Sequence, residues 1–368
     1  MIEGIMPDME LPANLETIAA WASETQPLRL EELRSRADRV RRTHVGDAVH
    51  LRGLVEISNH CTAHCTYCGL RAERTGLTRY RMPPEDVLAV ARQARELGYG
   101  SIVLKAGDDP GLTREGVADL VRRIKQETGL AVTLSLGERA PEDLEAWRTA
   151  GADRYLLRFE TSNPVLYRVF HPRGPGRVDK RFQRLRRARE LGYEVGSGVM
   201  VGLPGQTWHD LARDLLLFKV FDLDLIALGP WIRHPETPAV AFEDRENAPE
   251  RLADNSLAAT LRVIALARLV CPDANLTTTS ALATAEPGST SEEGLRWGAN
   301  VVMSNLTPLT WRAFYENYPG KACPTEVPAR IDGGLRDRIA ALGRTIGCGR
   351  GDSPSLERRR RNPPVPVA

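Results

Sequence analysis

Between Leu54 and Met303 the chain alternates short β-branched runs with longer amphipathic segments, and this alternation restricts the fold more than any other feature. It is the pattern of parallel strands joined by crossover helices. Eight strands are expected, at 54–58, 101–105, 131–135, 154–157, 195–201, 223–228, 275–279 and 300–303. Helices between them start at proline or acidic signals, as in Pro83-Pro84-Glu85-Asp86, Pro141-Glu142-Asp143 and Thr207-Trp208-His209-Asp210. Eight strand–helix units over roughly 250 residues predict an α/β protein with a (β/α)8 TIM-type barrel, here spanning 51–350. Residues 1–50 read as an N-terminal helical extension, with an arginine-laden helix at 30–43, expected to plug or cover the barrel's end. Segments 311–318 and 335–346 read as C-terminal closing helices. No repeat beyond the strand–helix period and no interdomain linker is visible.

The run Cys61-Thr62-Ala63-His64-Cys65-Thr66-Tyr67-Cys68 supplies three thiolates where a closed tetrahedral site needs four. A 4Fe-4S cluster held by three cysteines keeps one iron open for a substrate or cosubstrate. A zinc site completed by His60 or His64 is the alternative, since zinc accepts Cys3His sets. Zinc spacing is more often a ligand pair repeated after a gap, and no second C-x2-C or H-x3-H pair exists here. Spacing favours the cluster and leaves zinc open.

Composition sets the broad class. A hydrophobic fraction of 42% in 368 residues suits a globular chain with a sizeable core. Residues 1–30 have neither a basic n-region nor a long apolar h-region, and no apolar run reaches membrane-spanning length, so a cytoplasmic protein without membrane partners is expected. Six cysteines, three of them clustered, suit reduced thiols and metal binding better than a disulfide framework. A net charge of +2 does not announce a nucleic-acid binder. The tail 351–368, with Arg358-Arg359-Arg360-Arg361 before Asn362-Pro363-Pro364, is expected to be disordered.

In such a barrel the catalytic groups sit on loops after the C-terminal strand ends, and the unusual polar residues fall there. The cysteine loop follows strand one, Gly107-Asp108-Asp109 strand two, and Ser135-Leu136-Gly137-Glu138 strand three. Arg158-Phe159-Glu160-Thr161, Gly202-Leu203-Pro204-Gly205 and Gly229-Pro230-Trp231-Ile232 follow strands four, five and six. Singly, each has a plainer reading: Gly107 and Gly202 as turn glycines, Asp108, Asp109 and Glu160 as helix caps. Arg158, near the mouth of the barrel, needs an acidic partner or an anionic ligand.

With these residues the chain resembles the radical S-adenosylmethionine (SAM) superfamily, and within it the HydE family of FeFe-hydrogenase maturases, over residues 51–323. The narrower resemblance rests on Val55-Glu56-Ile57-Ser58-Asn59, Arg79-Tyr80-Arg81-Met82, the stretches 133–138 and 152–158, Met200-Val201-Gly202-Leu203-Pro204-Gly205-Gln206-Thr207, His234-Pro235-Glu236-Thr237-Pro238, and Gly298-Ala299-Asn300-Val301-Val302-Met303. It implies that Cys61, Cys65 and Cys68 hold a 4Fe-4S cluster whose fourth iron is chelated by the amino and carboxylate groups of SAM. Around SAM it implies Tyr67 and its loop at the adenine, Gly107 and Asp108 at the amino group, Glu160 at the ribose, Arg181 at the carboxylate, Ser135 beside them, and Met200 and Val201 as apolar walls. Deeper in the barrel it implies a substrate cavity lined by Thr133, Arg158, Thr279, Ser280, Met303 and Trp311, with Arg154 and Arg158 supplying positive charge. The implied activity is reductive cleavage of SAM to methionine and a 5'-deoxyadenosyl radical. The implied substrate is an iron–cysteine organometallic precursor of the hydrogenase di-iron cofactor, the electron donor reduced ferredoxin or flavodoxin, and the partners a second radical SAM enzyme and a GTPase scaffold.

The chain departs from that family at Lys105-Ala106-Gly107-Asp108, where its members carry Gln-Ser-Gly-Glu, and at Trp311, where a tyrosine is usual. Cys323 remains from an accessory cluster motif without the cysteines that should follow, so no second cluster is expected, and Cys271 and Cys348 read as plain thiols. These departures keep two alternatives in view: a paralogue acting on an amino acid or other small molecule, like methylornithine synthase or biotin synthase, and, in another class, a zinc-stabilised RNA-binding protein using the arginine tail.

Overall fold

The computed structural model describes residues 14–173, 178–238, 252–285, 292–321 and 328–361. Eight parallel strands form the barrel: β1 Ala48–Glu56, β2 Ser101–Lys105, β3 Ala131–Ser135, β4 Arg154–Leu156, β5 Glu194–Ser197, β6 Leu225–Ala227, β7 Asn275–Thr278 and β8 Val301–Asn305. Each pairs with the next in sequence. The barrel closes where β8 pairs with β1, from His50↔Val301 to Leu54↔Asn305. The expected (β/α)8 architecture is therefore present.

Helices α1 Leu15–Ala22 and α2 Pro27–Val45 precede the barrel; α3 Pro84–Glu96, α4 Arg114–Thr128, α5 Pro141–Thr149, α6 Pro164–Phe170, α7 Val178–Glu190, α8 Trp208–Val220 and α9 Leu257–Val270 surround it. Short helices α10 Ser280–Ala285, α11 Glu293–Arg296 and α12 Leu309–Arg312 lead to α13 Pro328–Ala341 and α14 Pro354–Arg361. Local chemistry sets several starts. Proline occupies the first turn of α3, α5 and α6, where a missing N–H costs nothing. Thr207 and Asp210 form a reciprocal capping box on α8. One face of α3 buries Val87, Leu88, Val90, Ala91 and Ala94 against the strands.

Four expectations need correcting. Of the two expected closing helices, 311–318 is helical only at its start, within Leu309–Arg312, and 335–346 stops at Ala341 before the short strand Thr345–Ile346. The fifth strand is not continuous through 201: β5 stops at Ser197, and Met200–Val201 pairs separately with Gly229–Pro230. Gly198 marks the break, since a Cβ there would stand 1.9 Å from the Ala227 carbonyl oxygen. The N-terminal helices do not plug the barrel; α1 packs on α8 and α9, and α2 along α9.

The plug comes instead from the other end of the chain. The short strand Thr345–Ile346 pairs with the start of β1, and the loop after it fills the barrel's N-terminal mouth. Arg52 and Asn275 donate to the Gly351 carbonyl at 3.1 and 3.0 Å, Arg154 donates to the Arg350 carbonyl at 2.8 Å and pairs with Asp352, and the Ser353 amide donates to Glu194 at 2.6 Å. The basic tail, expected to be disordered, is helical as α14: Arg358 pairs with Asp222 and Asp273, and Arg359 with Asp222 and Asp224. Residues 362–368, and the expected thiol remnant Cys323, lie outside the described residues. No described helix is long and apolar enough to cross a membrane.

Candidate active site

At the C-terminal mouth a cavity of 310 Å³ opens between the strand ends. That is the size at which a pocket can enclose a small ligand. All three cysteines of the sequence motif line it.

The cysteine loop is held by its own flanks. Asn59 donates to the carbonyls of Thr78 and Phe314 at 2.8 and 2.7 Å and accepts from the Tyr80 amide at 2.7 Å. Arg79 donates to the carbonyls of Asn59, Leu70 and Arg71 at 2.5, 2.8 and 2.7 Å, so one guanidinium ties both ends of the loop. Asp109 is fully buried and accepts from Ser58 at 2.6 Å and from Arg81, so it clamps the β2 loop to the flank rather than facing the cavity. Gly107, in the β2 loop, approaches Cys61 so closely that a Cβ would meet its Sγ at 2.8 Å.

The donor set fits an iron–sulfur cluster. Burial pushes all three thiols up, Cys68 to about 11 although the Leu70 amide points at its sulfur, so they favour the thiolate form only beside a cationic group such as iron. Among the described residues no three His, Cys, Asp or Glu side chains are grouped to hold a single ion. His64, one of the ligands a zinc site would have needed, has its Nδ1 2.6 Å from Glu73.

Around the thiols lie the groups expected to meet SAM. Asp108 is half-buried at the cavity wall, and the desolvation raises its carboxyl; its Oδ1 accepts from the Glu138 amide at 2.6 Å, yet it forms no ion pair among the described residues. A ligand ammonium would supply the missing charge. Arg181 also lines the cavity, its Nε on Glu138 at 2.8 Å and its Nη1 on the Arg158 carbonyl at 2.8 Å. Glu160 has φ +64°, an unusual conformation for a non-glycine residue that favours a functional constraint. Its carboxylate lies 2.9 Å from Arg158 Nη2. Tyr67 packs with Leu166, Phe170, Met200, Leu203 and Trp231 into an apolar wall. Ser135, Gly107, Thr279, Ser280 and Met303 line the same cavity.

Four expected positions do not reach it. Val201 is buried in the main core, pointing away from Met200's side. Thr133 is fully buried below the cavity. Arg154 lies at the opposite end of the barrel, paired with Glu194 and Asp352 in the plug. Trp311 stacks on Tyr80 with ring centroids 5.2 Å apart and reaches Asp86 at 3.3 Å, outside the cavity. The loop 202–205 contributes no lining residue either.

Sequence reading missed the residues that replace them. Tyr315, Asn317 and Tyr318 line the cavity. Fully buried Glu56 contacts the Lys321 ammonium and accepts from Asn305 at 3.1 Å, while Lys105 lies 4.0 Å away. The density of aromatic and polar residues in 315–321 was the available signal, hidden by reading the segment as a closing helix.

Residues 55–218 match the family described as the Radical SAM superfamily. The [FeFe] hydrogenase maturase subunit HydE of Thermotoga maritima is 46% identical over 317 residues, which cover 86% of this chain and 87% of that protein. The 3-methylornithine synthase of Methanosarcina barkeri is 27% identical over 298 residues, 78% of each chain. Among solved structures, methylornithine synthase superposes with a TM-score of 0.77 at 22% identity, over 92% of this chain and 95% of that one. The hydrogenase maturase HydG does so with a TM-score of 0.72 at 20% identity, over 90% and 72%. At those identities the two structures speak to the fold alone.

Proposed function

Since the chain belongs to the radical SAM superfamily and, within it, to the HydE family, we propose that its barrel cavity is the site of a hydrogenase-maturation reaction on an iron–cysteine organometallic substrate. The enzyme's cofactors are a 4Fe-4S cluster and SAM, which together supply the electron and the 5'-deoxyadenosyl radical. Cys61, Cys65 and Cys68 hold the cluster. Asp108 and Gly107 face the amino group of SAM, Arg181 its carboxylate, and Ser135 lies beside them; Glu160 accepts from the ribose hydroxyls, and Tyr67 and Met200 wall the adenine.

A carbon radical abstracts hydrogen from whatever C–H bond it meets first, so the residues must exclude bystanders and fix the substrate. The closed barrel does the first. Arg158, Thr279, Ser280 and Met303 do the second, with Arg158 the charged contact for an anionic substrate. Reduced ferredoxin or flavodoxin is the proposed electron donor, a second radical SAM enzyme and a GTPase scaffold the proposed partners, and the cytoplasm the setting.

The observation that carries this reading is the convergence of three half-buried thiols, Asp108, Glu160 and Arg158 on one cavity. Anaerobic reconstitution followed by SAM-cleavage assays tests it. Formation of 5'-deoxyadenosine should be stimulated by the iron–cysteine complex; equal rates with and without it, or stimulation by an amino acid alone, would move the chain to a different substrate within the superfamily.

A further inference from the structure

One cation in the cavity has no role in the chemistry above. Lys105 ends β2, its side chain is 32% accessible, and it lines the cavity. Its ammonium makes no hydrogen bond to any described residue. The nearest carboxylate is Glu56, whose Oε1 lies 4.0 Å away. That carboxylate is already in contact with the Lys321 ammonium and accepts from Asn305. Both ammonium groups lie over the Tyr315 ring, Lys321 at 4.8 Å and Lys105 at 5.3 Å from its centroid. One carboxylate thus faces two ammonium groups; burial and the neighbouring Lys105 pull Lys321 down to about 8, so below that pH the group carries one positive charge in excess.

Lys105 thus has only a share of one carboxylate at 4.0 Å, and its 32% accessible side chain leaves the ammonium open to a ligand that supplies the remaining counter-charge. Arg158 has its own carboxylate, Glu160, at 2.9 Å. Lys105 has none to itself.

We propose that Lys105 is a substrate-contact residue, holding a singly charged anionic group of the substrate, a carboxylate or an anionic ligand of its metal, against the β1–β2 wall of the cavity. This deepens the maturation reading and rests on it for the identity of the substrate, though not for the existence of the anion subsite. The substrate then meets two separate cations, Lys105 at the end of β2 and Arg158 beyond β4, which fixes its orientation as well as its charge.

The test uses the full chain, anaerobically reconstituted and loaded with SAM, as wild type, Lys105→Met and Lys105→Arg. Acetate and acetamide serve as probes of equal shape and different charge, titrated calorimetrically. Acetate should bind wild type at least about tenfold more tightly than acetamide; the preference should vanish in Lys105→Met and return in Lys105→Arg. Equal binding of the two probes to wild type, or an acetate preference that survives in Lys105→Met, overturns the proposal. With the iron–cysteine complex as substrate, Lys105→Met should raise KM about 10- to 100-fold with a smaller change in kcat. An unchanged KM with a shifted cluster reduction potential would instead make Lys105 a tuner of the cluster through Cys68 and also overturns it. Failure of the maturation reading is seen separately, as absence of stimulation by the complex in wild type while the acetate result stands.

Discussion

Gly107 and Cys61 are in contact with no room for a side chain between them: a Cβ on the glycine would stand 2.6 Å from the cysteine Cβ and 2.8 Å from its Sγ. Gly107→Ala should therefore push the cysteine loop off its seat without disturbing the strands below. The expected result is loss of most iron and visible absorbance after reconstitution, with far-ultraviolet circular dichroism and melting temperature unchanged. Full iron incorporation would mean the loop yields where the geometry says it should not.

Cys61, Cys65 and Cys68 line the cavity, whereas Cys348 is exposed and Cys271 buried in the core. Alanine at any one of the first three should abolish SAM cleavage and leave sub-stoichiometric iron. Cys348→Ala should match wild type in iron content and rate. Iron analysis alongside 5'-deoxyadenosine assays decides the point.

Arg154 is a structural residue of the barrel floor. Arg154→Met leaves Glu194 buried without its guanidinium, a change that costs about 3–5 kcal/mol for a buried pair. Thermal unfolding should shift down by several degrees, with KM for the substrate within about twofold of wild type. A raised KM with unshifted melting would restore the substrate role implied by the family resemblance.

Asp214 is fully buried on α8, and burial raises its carboxyl to about 7 from the ordinary 3.8. Its Oδ1 accepts from the Ser162 amide at 2.8 Å. Between those two pH values the folded chain binds more protons than the unfolded one, so this group stabilises the fold in acid and the contribution fades as pH rises through about 7. Asp214→Asn mimics the protonated form. Its melting temperature relative to wild type should increase from pH 5 to pH 8, by a free-energy change of about 3 kcal/mol. A difference that stays flat with pH would show that the carboxyl titrates normally.

The barrel and the end of it that carries chemistry were legible in the sequence, because both follow from local periodicity and from which residues succeed each strand. The failures have a common geometric cause. Arg154 and Arg158 are four residues apart along an extended segment, so they share a face, but about 3.3 Å of rise per residue separates them by roughly 13 Å and sends them to opposite ends of the barrel. Thr133 lies two residues before Ser135 on β3 and is a layer too deep for the same reason. Met200 and Val201 are neighbours in an extended pair, so only one can face the cavity. The order of the arginine tail was invisible for another reason: the partners of Arg359, Asp222 and Asp224, lie 137 and 135 residues away. No composition rule connects them.

The plug at the barrel floor also sets a clock for biosynthesis. Arg52 and the Gly351 carbonyl that receives it are 299 residues apart in the chain. At ribosomal speeds of about 5–20 residues per second, β1 emerges roughly 15–60 s before the loop that seals beneath it. During that interval the guanidinium lacks the carbonyl that receives it, so the floor of the barrel stays open to water while the strands above it align. A nascent chain cut short before residue 348 would hold every cysteine of the motif and all eight strands yet lack the carbonyls that receive Arg52, Asn275 and Arg154.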